Sequence, residues 1–194
     1  EAIARALHEA GASVIVADNG VAIDGSGGDA SVAESVANCL GARAIAFTDS
    51  VAAPEAAAEM VHMAVSEFGG IDILINNAGG PRAGRFDDLD ITDYQDAVDL
   101  NLMSTINLTR AVVPNMRARK GGRIINLTSV SVKQPVEGLM LSNMARTGVI
   151  GFAKTLATEL AADKILVNNV CPGIIFTDRI QQLATVRAEE AGVT

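Results

Sequence analysis

Short runs of β-branched residues alternate with helical stretches along this chain, and the alternation restricts its fold more than any other feature. Predicted strands cover 13–17, 43–47, 71–75, 123–127 and 165–170. Predicted helices cover 2–7, 31–40, 54–68, about 92–117 and 139–160, and a further helix begins near Thr177. Such alternation is typical of right-handed βαβ units, whose strands pair in parallel. The sequence therefore predicts an α/β fold with a doubly wound parallel sheet.

Length, composition and charge limit the classes of protein that this chain can represent. Its 194 residues, 49% of them hydrophobic, can bury one sizeable core, so we expect a single domain. A net charge of −8 argues against a nucleic-acid partner, which usually requires a basic surface. The basic run Arg117–Lys120 is interpreted as the solvated end of a helix.

The two cysteines and the apolar runs bear on compartment and metal binding. Cys39 and Cys171 lie far apart and lack the paired spacing of a zinc site, so we expect no metal and a reducing compartment. No apolar run reaches the roughly 20 residues that span a bilayer. Glu1 begins directly in a helical pattern without a secretory signal. These features predict a cytoplasmic protein with no membrane partner.

Asp18 comes directly after the strand at 13–17, which follows the first predicted helix. In dinucleotide-binding folds a carboxylate at this place accepts hydrogen bonds from the adenosine ribose and repels a 2′-phosphate. This favours NAD over NADP. The simpler alternative is an aspartate that starts the long Gly- and Asp-rich loop at 19–29.

Three further segments follow predicted strands and together resemble one known family. They are Asn76-Asn77-Ala78-Gly79, the strand-and-hydroxyl run from Gly122 to Ser129, and Pro172-Gly173-Ile174-Ile175-Phe176-Thr177. With the helix 149–157, they resemble the short-chain dehydrogenase/reductase family, and within it a divergent 3-ketoacyl-reductase-like subgroup. The resemblance covers nearly the whole chain. It implies a Rossmann-type fold that binds a nicotinamide dinucleotide.

The resemblance implies a set of cofactor contacts, several of which have a plainer alternative. Ser50 stands where the family often has Asp, so an adenine contact there would use backbone or hydroxyl. Thr177 would bind a pyrophosphate oxygen, although a helix N-cap is its plain role. Asn76 would also tie neighbouring strands together. The implied residues are Asp18, Asp49, Ser50, Asn76, Ala78, Gly79, Arg146, Pro172, Gly173, Ile175 and Thr177.

Two catalytic positions match the family and two depart from it. Ser129 matches the serine that hydrogen-bonds the substrate oxygen, where charge develops during hydride transfer. Asn101 matches the asparagine that kinks its helix and holds a water in a proton relay, although an isolated helical Asn is usually only locally hydrogen-bonded. Thirteen residues after Ser129 the family places a Tyr, and four further a Lys. This chain has Ser142 and Arg146 there.

The departure concerns proton transfer. A phenol with a pKa of ~10 can be brought toward neutrality by adjacent positive charge, but a serine hydroxyl is a far weaker acid and its side chain is shorter. Arg146 could hold ribose hydroxyls, yet it stays protonated. Lys133, four residues past Ser129, is the candidate substitute acid. A solvated loop lysine is its simpler interpretation.

The resemblance also bears on the ends of the chain. In the family a first strand and a glycine-rich turn precede the helix that starts here at Glu1, and a last strand follows the final helix. We expect residues 1–194 to be a partial NAD(P)-binding domain that lacks those elements at both ends. Without the first strand, two neighbouring strands would present unpaired backbone groups.

The function implied by the resemblance is an NAD(P)-dependent oxidoreductase that interconverts a secondary alcohol and a ketone, with a 3-hydroxyacyl or 3-ketoacyl thioester as one substrate class. The alternative is a catalytically silent subunit that binds cofactor or an active paralogue, and a decayed gene product is a third interpretation. The helices at 92–117 and 139–160 resemble those of the family's dimer interface. They suit a homo-oligomer, a dimer or a tetramer, or a hetero-oligomer.

Overall fold

The computed structural model describes residues 1–21, 27–173, 175, 184, 185, 188 and 192. The helix expected near Thr177 lies outside these residues. The described residues form five strands, namely β1 (Val14–Ala17), β2 (Ala44–Phe47), β3 (Ile73–Asn76), β4 (Gly122–Leu127) and β5 (Ile165–Val170). Every pairing is parallel, in one sheet of order β1-β2 and another of order β3-β4-β5. The prediction of a parallel α/β fold is confirmed.

The helices alternate with these strands and lie close to their predicted bounds. They are α1 (Ala2–Glu9), α2 (Ser31–Leu40), α3 (Pro54–Phe68), α4 (Ile91–Ala97), α5 (Ser104–Ala118) and α6 (Met140–Glu159). Pro54 opens α3, where a missing N–H costs nothing, and Gly69 ends it in the left-handed conformation. Ser31 is the first residue of α2, and its N–H donates to Asp29 Oδ1 at 2.9 Å.

Helices cover both faces of the β1-β2 sheet. On one face Val14 and Val16 pack against Ala33 and Ala37 of α2, with α1 beside them. On the other, Phe47 belongs to a larger core built with α3, α5 and the β3-β4-β5 sheet. The most deeply buried members of that core are Ala57, Val112, Met116, Ile124 and Ile165. This is the layer arrangement of a doubly wound fold, and it places the carboxyl ends of the strands at a common edge.

The long helix predicted for about 92–117 is not continuous. A π-helical segment, Val98–Met103, separates α4 from α5. π segments inside α-helices are rare and occur often at functional sites. Asn101 lies within this one.

No described helix is both long and apolar enough to cross a bilayer. The described part of the chain also holds no group of three His, Cys, Asp or Glu side chains that could bind a metal ion.

Candidate functional site

A cleft of about 480 Å³ opens at the carboxyl ends of β1, β2 and β3. Ligand pockets in proteins are typically ~300–1,000 Å³, so its size suits a small organic molecule or part of a cofactor. Asp18, Asp49, Ser50, Ala78 and Gly79 line the cleft, and all of them were predicted cofactor contacts. Its opposite wall comes from the loop after β3, from α4 and the π segment, and from Leu141 of α6.

The backbone around Asp18 fixes this carboxylate at the mouth of the cleft. Asp18 N–H donates to Phe47 O of β2 at 3.0 Å, and Gly20 N–H donates to Asp18 Oδ1 at 2.9 Å. Gly20 has φ of 64°, and a Cβ there would overlap the backbone of Asp29. Only glycine adopts this conformation in that space without strain. The turn therefore sets the direction of the Asp18 side chain locally.

Three asparagines form a ladder across the β3-β4-β5 sheet, with Asn76 and Asn126 buried and Asn169 half-buried. Asn76 Nδ2 donates to Asn126 Oδ1 at 2.8 Å, and Asn126 Nδ2 donates to Asn169 Oδ1 at 3.0 Å. The three are register partners on neighbouring strands. Asn76 was a predicted site residue, whereas Asn126 and Asn169 were not. The sequence feature that could have identified them is an Asn near the carboxyl end of each of three successive predicted strands.

Asn101 connects the π segment to the turn that follows β3. Its side chain is buried, and Nδ2 donates to Gly79 O at 2.8 Å. Its backbone carbonyl accepts Thr105 Oγ1 at 2.9 Å. Asn101 Oδ1 is buried and has no hydrogen-bond partner within the described residues. A buried acceptor of this kind is the usual place for an ordered water.

Arg146 lies on α6 with its guanidinium directed at protein groups. Nε donates to Ser142 Oγ at 3.2 Å, and Nη1 donates to Leu127 O at 2.9 Å and Thr128 O at 3.4 Å. Nη2 donates to Gly79 O at 2.8 Å. The two residues that replace the family's Tyr and Lys are therefore bonded to each other and to the ends of β3 and β4.

Ser129 lies just past β4, beside the segment that follows β5. Its Oγ accepts Ser131 N–H at 3.1 Å, and the next residue, Val130, donates its N–H to Pro172 O at 2.8 Å. Gly173 and Ile175 are exposed, and the predicted pyrophosphate contact Thr177 lies outside the described residues.

The candidate acid Lys133 does not join this group of residues. Its side chain is exposed, whereas those of Ser142 and Arg146 are half-buried; none of the three lines the described cleft, and neither does Ser129. Its role as a proton donor stays a prediction.

Comparison with known proteins agrees with this geometry. Residues 1–188 match the sequence profile of the family described as short chain dehydrogenase. The chain belongs to that family. It is 39% identical over 183 residues to a 3-oxoacyl-[acyl-carrier-protein] reductase of Synechocystis, covering 94% of this chain and 72% of that protein. It is 30% identical over 195 residues to the D-beta-hydroxybutyrate dehydrogenase of Rhizobium meliloti, covering 100% and 73%.

Solved structures of this family superpose closely on the chain. The L-sorbose reductase of Gluconobacter frateurii, in complex with NADPH and L-sorbose, gives a TM-score of 0.87 at 31% identity, over 98% of this chain and 71% of that one. A 7α-hydroxysteroid dehydrogenase in complex with NADH and 7-oxo glycochenodeoxycholic acid gives 0.85 at 29% identity, over 97% and 71%. The Rossmann-like fold of the short-chain dehydrogenases is thus established for this chain.

Carboxylates dominate the charge of this short-chain dehydrogenase's cleft. Asp18, Asp49, Asp93 and Asp96 line it, together with Arg82. Arg82 Nη1 lies 3.0 Å from both carboxylate oxygens of Asp93. The backbone N–H of Asp90, followed by Arg82, holds the pKa of Asp93 below its usual value. The positive charge of Arg82 is therefore largely offset by Asp93 inside the cleft.

The described residues fit a nicotinamide dinucleotide. The carboxylate of Asp18 could accept ribose hydroxyls, and the small residues Ala78 and Gly79 let a ligand approach the backbone. The partnerless Asn101 Oδ1 supplies a buried acceptor beside that turn. When bound, such a group supplies or accepts a hydride.

Proposed function

We propose that this short-chain dehydrogenase is an NAD-dependent oxidoreductase that interconverts a secondary alcohol and a ketone, with residues 1–194 as its dinucleotide-binding domain. The observation that carries the proposal is the shared cleft of Asp18 and the Asn77–Gly79 turn at the carboxyl ends of β1 and β3. Ligands of doubly wound sheets bind at that edge. The family match supports the reaction class.

The charge of the cleft supports NAD rather than NADP. A 2′-phosphate on the adenosine ribose would lie beside Asp18, with Asp49 also on the cleft wall. Arg82 is the cation among the described lining residues, and Asp93 already pairs with it. No described cation of the cleft is left to offset the repulsion.

For the substrate we propose a small ketone or alcohol, in the first place a 3-ketoacyl or 3-hydroxyacyl compound such as an acyl thioester. Two of the relatives, a 3-oxoacyl reductase and a β-hydroxybutyrate dehydrogenase, act by their names on an oxygen at the third carbon of an acyl chain. The apolar parts of the wall, Ala97, Leu100 and Leu141, suit the alkyl part of such a molecule.

For the reacting oxygen we propose hydrogen bonds from Ser129 and Ser142. Because Ser142 Oγ accepts Arg146 Nε–H, its own hydroxyl proton points elsewhere and can be donated to a substrate oxygen. A serine so placed stabilises developing negative charge without acting as a strong acid. The proton then comes from water or from Lys133.

The test is oxidation of NADH by the full chain with a panel of ketones that includes 3-ketoacyl thioesters. We expect turnover that falls by about a hundredfold in Ser129→Ala, because one oxyanion donor contributes on that scale. Lys133→Ala separates the two proton sources, since unchanged turnover eliminates Lys133. Asn38→Ala, on the exposed side of α2, is the matched control and should retain full rate.

The same experiment tests the second candidate, a silent subunit. The engagement of Arg146 with backbone carbonyls is the observation that favours it, because the expected ribose contact is then weakened. Tight NADH binding without turnover on any ketone would contradict the enzyme proposal. Turnover gained in the double variant Ser142→Tyr with Arg146→Lys would then locate the defect in this pair.

We also propose that the protein works in the cytoplasm as an oligomer, with α5 and α6 at the interface. Both described cysteines are unpaired, as expected for a reducing compartment. Light scattering during size-exclusion chromatography distinguishes a monomer from a dimer or tetramer.

A further inference from the structure

The side chain of Arg146 uses most of its hydrogen-bonding capacity within the protein. A guanidinium has five N–H groups in a rigid plane. Those of Arg146 reach three backbone carbonyls, Gly79 O after β3 and Leu127 O and Thr128 O at the end of β4, and the hydroxyl of Ser142. Gly79 and Leu127 belong to segments 48 residues apart in sequence. The side chain therefore ties two neighbouring strand ends to α6.

Two side chains hold the Gly79 carbonyl in the turn after β3. Asn77 and Gly79 are exposed, and a Cβ built on Gly79 would contact nothing within 4 Å. The Gly79 carbonyl accepts two donors at 2.8 Å each, Asn101 Nδ2 and Arg146 Nη2. These two bonds help to orient a peptide of the turn that lines the cleft.

We propose that Arg146 is a positioning residue that clamps the Gly79 peptide to the end of β4 and orients Ser142, and that it acts on the cofactor cleft through this backbone. A lysine could not replace it, because a single ammonium cannot meet carbonyls of two strands with the geometry of a planar fork. The consequence for cofactor affinity rests on the proposed function. The clamp itself does not.

The test uses Arg146→Ala with two added cations, guanidinium and methylammonium, at concentrations far below those that denature proteins. Trypsin cleavage after Arg82, three residues past Gly79, reports how firmly the turn is held in the absence of cofactor. NADH affinity is measured by fluorescence on the same proteins. Hydrogen bonds to a charged group are among the stronger ones in proteins, so we expect cleavage to speed up and affinity to fall by about tenfold or more.

Guanidinium should restore both quantities in Arg146→Ala, and methylammonium should restore neither, because only guanidinium reproduces the fork. Arg119→Ala is the matched control. Arg119 also bonds a backbone carbonyl across the fold, Gly69 O at 3.3 Å, but at the amino end of β3. It should leave both readouts unchanged. If Arg146→Ala does not fold, Arg146→Lys takes its place, and trypsin should cleave it faster than the parent as well.

A fall in NADH affinity with unchanged cleavage would overturn the proposal, and so would rescue by methylammonium, because both indicate direct charge contact with the cofactor. If the parent protein binds no NADH, the proposed function fails while the cleavage arm still decides the clamp. If trypsin then cleaves Arg146→Ala at the same rate as the parent, the clamp proposal is overturned as well.

Discussion

At the scale of single residues, the cleft depends on side chains whose direction is set by nearby backbone. Asp18 receives the Gly20 N–H, and the left-handed conformation of Gly20 makes that bond possible. The carboxylate is thus held by one residue of its own turn, Gly20. A substitution can therefore remove the charge of Asp18 without changing the geometry of its turn.

Asp18→Asn is expected to change cofactor preference without disturbing the turn, since the amide oxygen can still accept the Gly20 N–H. Removing a like charge near a 2′-phosphate should improve NADPH binding relative to NADH by about tenfold, on the scale of one charge pair in a partly solvated site. Fluorescence titration with both nucleotides measures the ratio. Asp96→Asn, on the α4 wall of the same cleft, is the control. An unchanged ratio in Asp18→Asn would contradict the ribose assignment.

Functional residues at strand ends were easier to predict from the sequence than the groups with which they form hydrogen bonds. Asp18 and the Asn76–Gly79 turn follow recognisable strands, and parallel strands bring their carboxyl ends together. The contact of Arg146 with a cofactor ribose stays a prediction, and the carbonyls that its guanidinium contacts were not predicted. Every residue carries a carbonyl, so no residue type marks Gly79, Leu127 or Thr128 as acceptors.

At the scale of elements, the asparagine ladder joins three strands through two buried side chains and one half-buried side chain. Asn126 is its central member and both donates and accepts. Asn76 also contacts Thr109 Oγ1 of α5 at 3.5 Å. The ladder thus links the sheet to the helix above it.

Asn126→Leu, similar in volume, should remove the nearer partner of the buried Asn76 Nδ2 and the donor to the half-buried Asn169 Oδ1. A buried polar group that loses its partner costs ~1–3 kcal/mol, so we expect the free energy of unfolding to fall by about 1–3 kcal/mol. Urea denaturation measures it. Asn168→Leu, on the exposed face of β5 one position before Asn169, is the matched control and should change stability little. Equal effects of the two variants would show that the ladder adds no stability.

The start of α4 is expected to make stability depend on acid. Asp90 and Asp93 form a reciprocal cap in which each carboxylate accepts a backbone N–H of the other. The Asp90 N–H first, and then Arg82, lowers the pKa of Asp93 in the folded protein. A lowered folded-state pKa stabilises the protein above the unfolded pKa, near ~4, and this contribution is lost as pH falls through the folded value.

The free energy of unfolding of Asp93→Asn should therefore lie below that of the parent at neutral pH and converge with it as the pH falls from roughly 5 to 3. Urea unfolding across that range provides the measurement. Asp87→Asn, an exposed carboxylate of the preceding 3-10 turn, should run parallel to the parent. A gap between Asp93→Asn and the parent that stays constant with pH would refute the linkage.

At the scale of the whole molecule, the two sheets share one layer arrangement but have different cores. The β3-β4-β5 sheet lies in the larger cluster, with fully buried Met116, Ile124 and Ile165. The β1-β2 sheet packs mainly through small side chains, and α1 has no buried residue. Ile15 and Phe47 of this sheet belong to the larger cluster.

Hydrogen exchange in low denaturant should show α1, α2, β1 and β2 opening before the β3-β4-β5 sheet, because less apolar area holds them. Ala33→Gly should speed exchange of the first group while leaving the second unchanged, since Ala33 is fully buried in the smaller cluster. A single opening event at every denaturant concentration would contradict the expected order.

The order and direction of the elements were predictable from the sequence because hydrophobic period and turn residues report them directly. The apolar spacing of 92–117 satisfies a continuous helix, so the interruption at Val98–Met103 was indicated only by the family resemblance, which implies a kink at Asn101. The position at which the helix accommodates one extra residue depends on the tertiary contacts of Asn101. The local sequence does not specify those contacts.

The π segment also makes the number of residues between α4 and α5 matter. Deleting one residue from Val98–Met103 would let an unbroken α-helix form while α4 and α5 keep their faces, because a π turn absorbs one extra residue. The wider turn from which Asn101 Nδ2 reaches Gly79 O would be lost, and the turn after β3 that lines the cleft would lose one of its hydrogen bonds. Chain length at this point is thus a determinant of the cleft in its own right. A scan of substitutions would miss it, whereas single-residue deletions would find it.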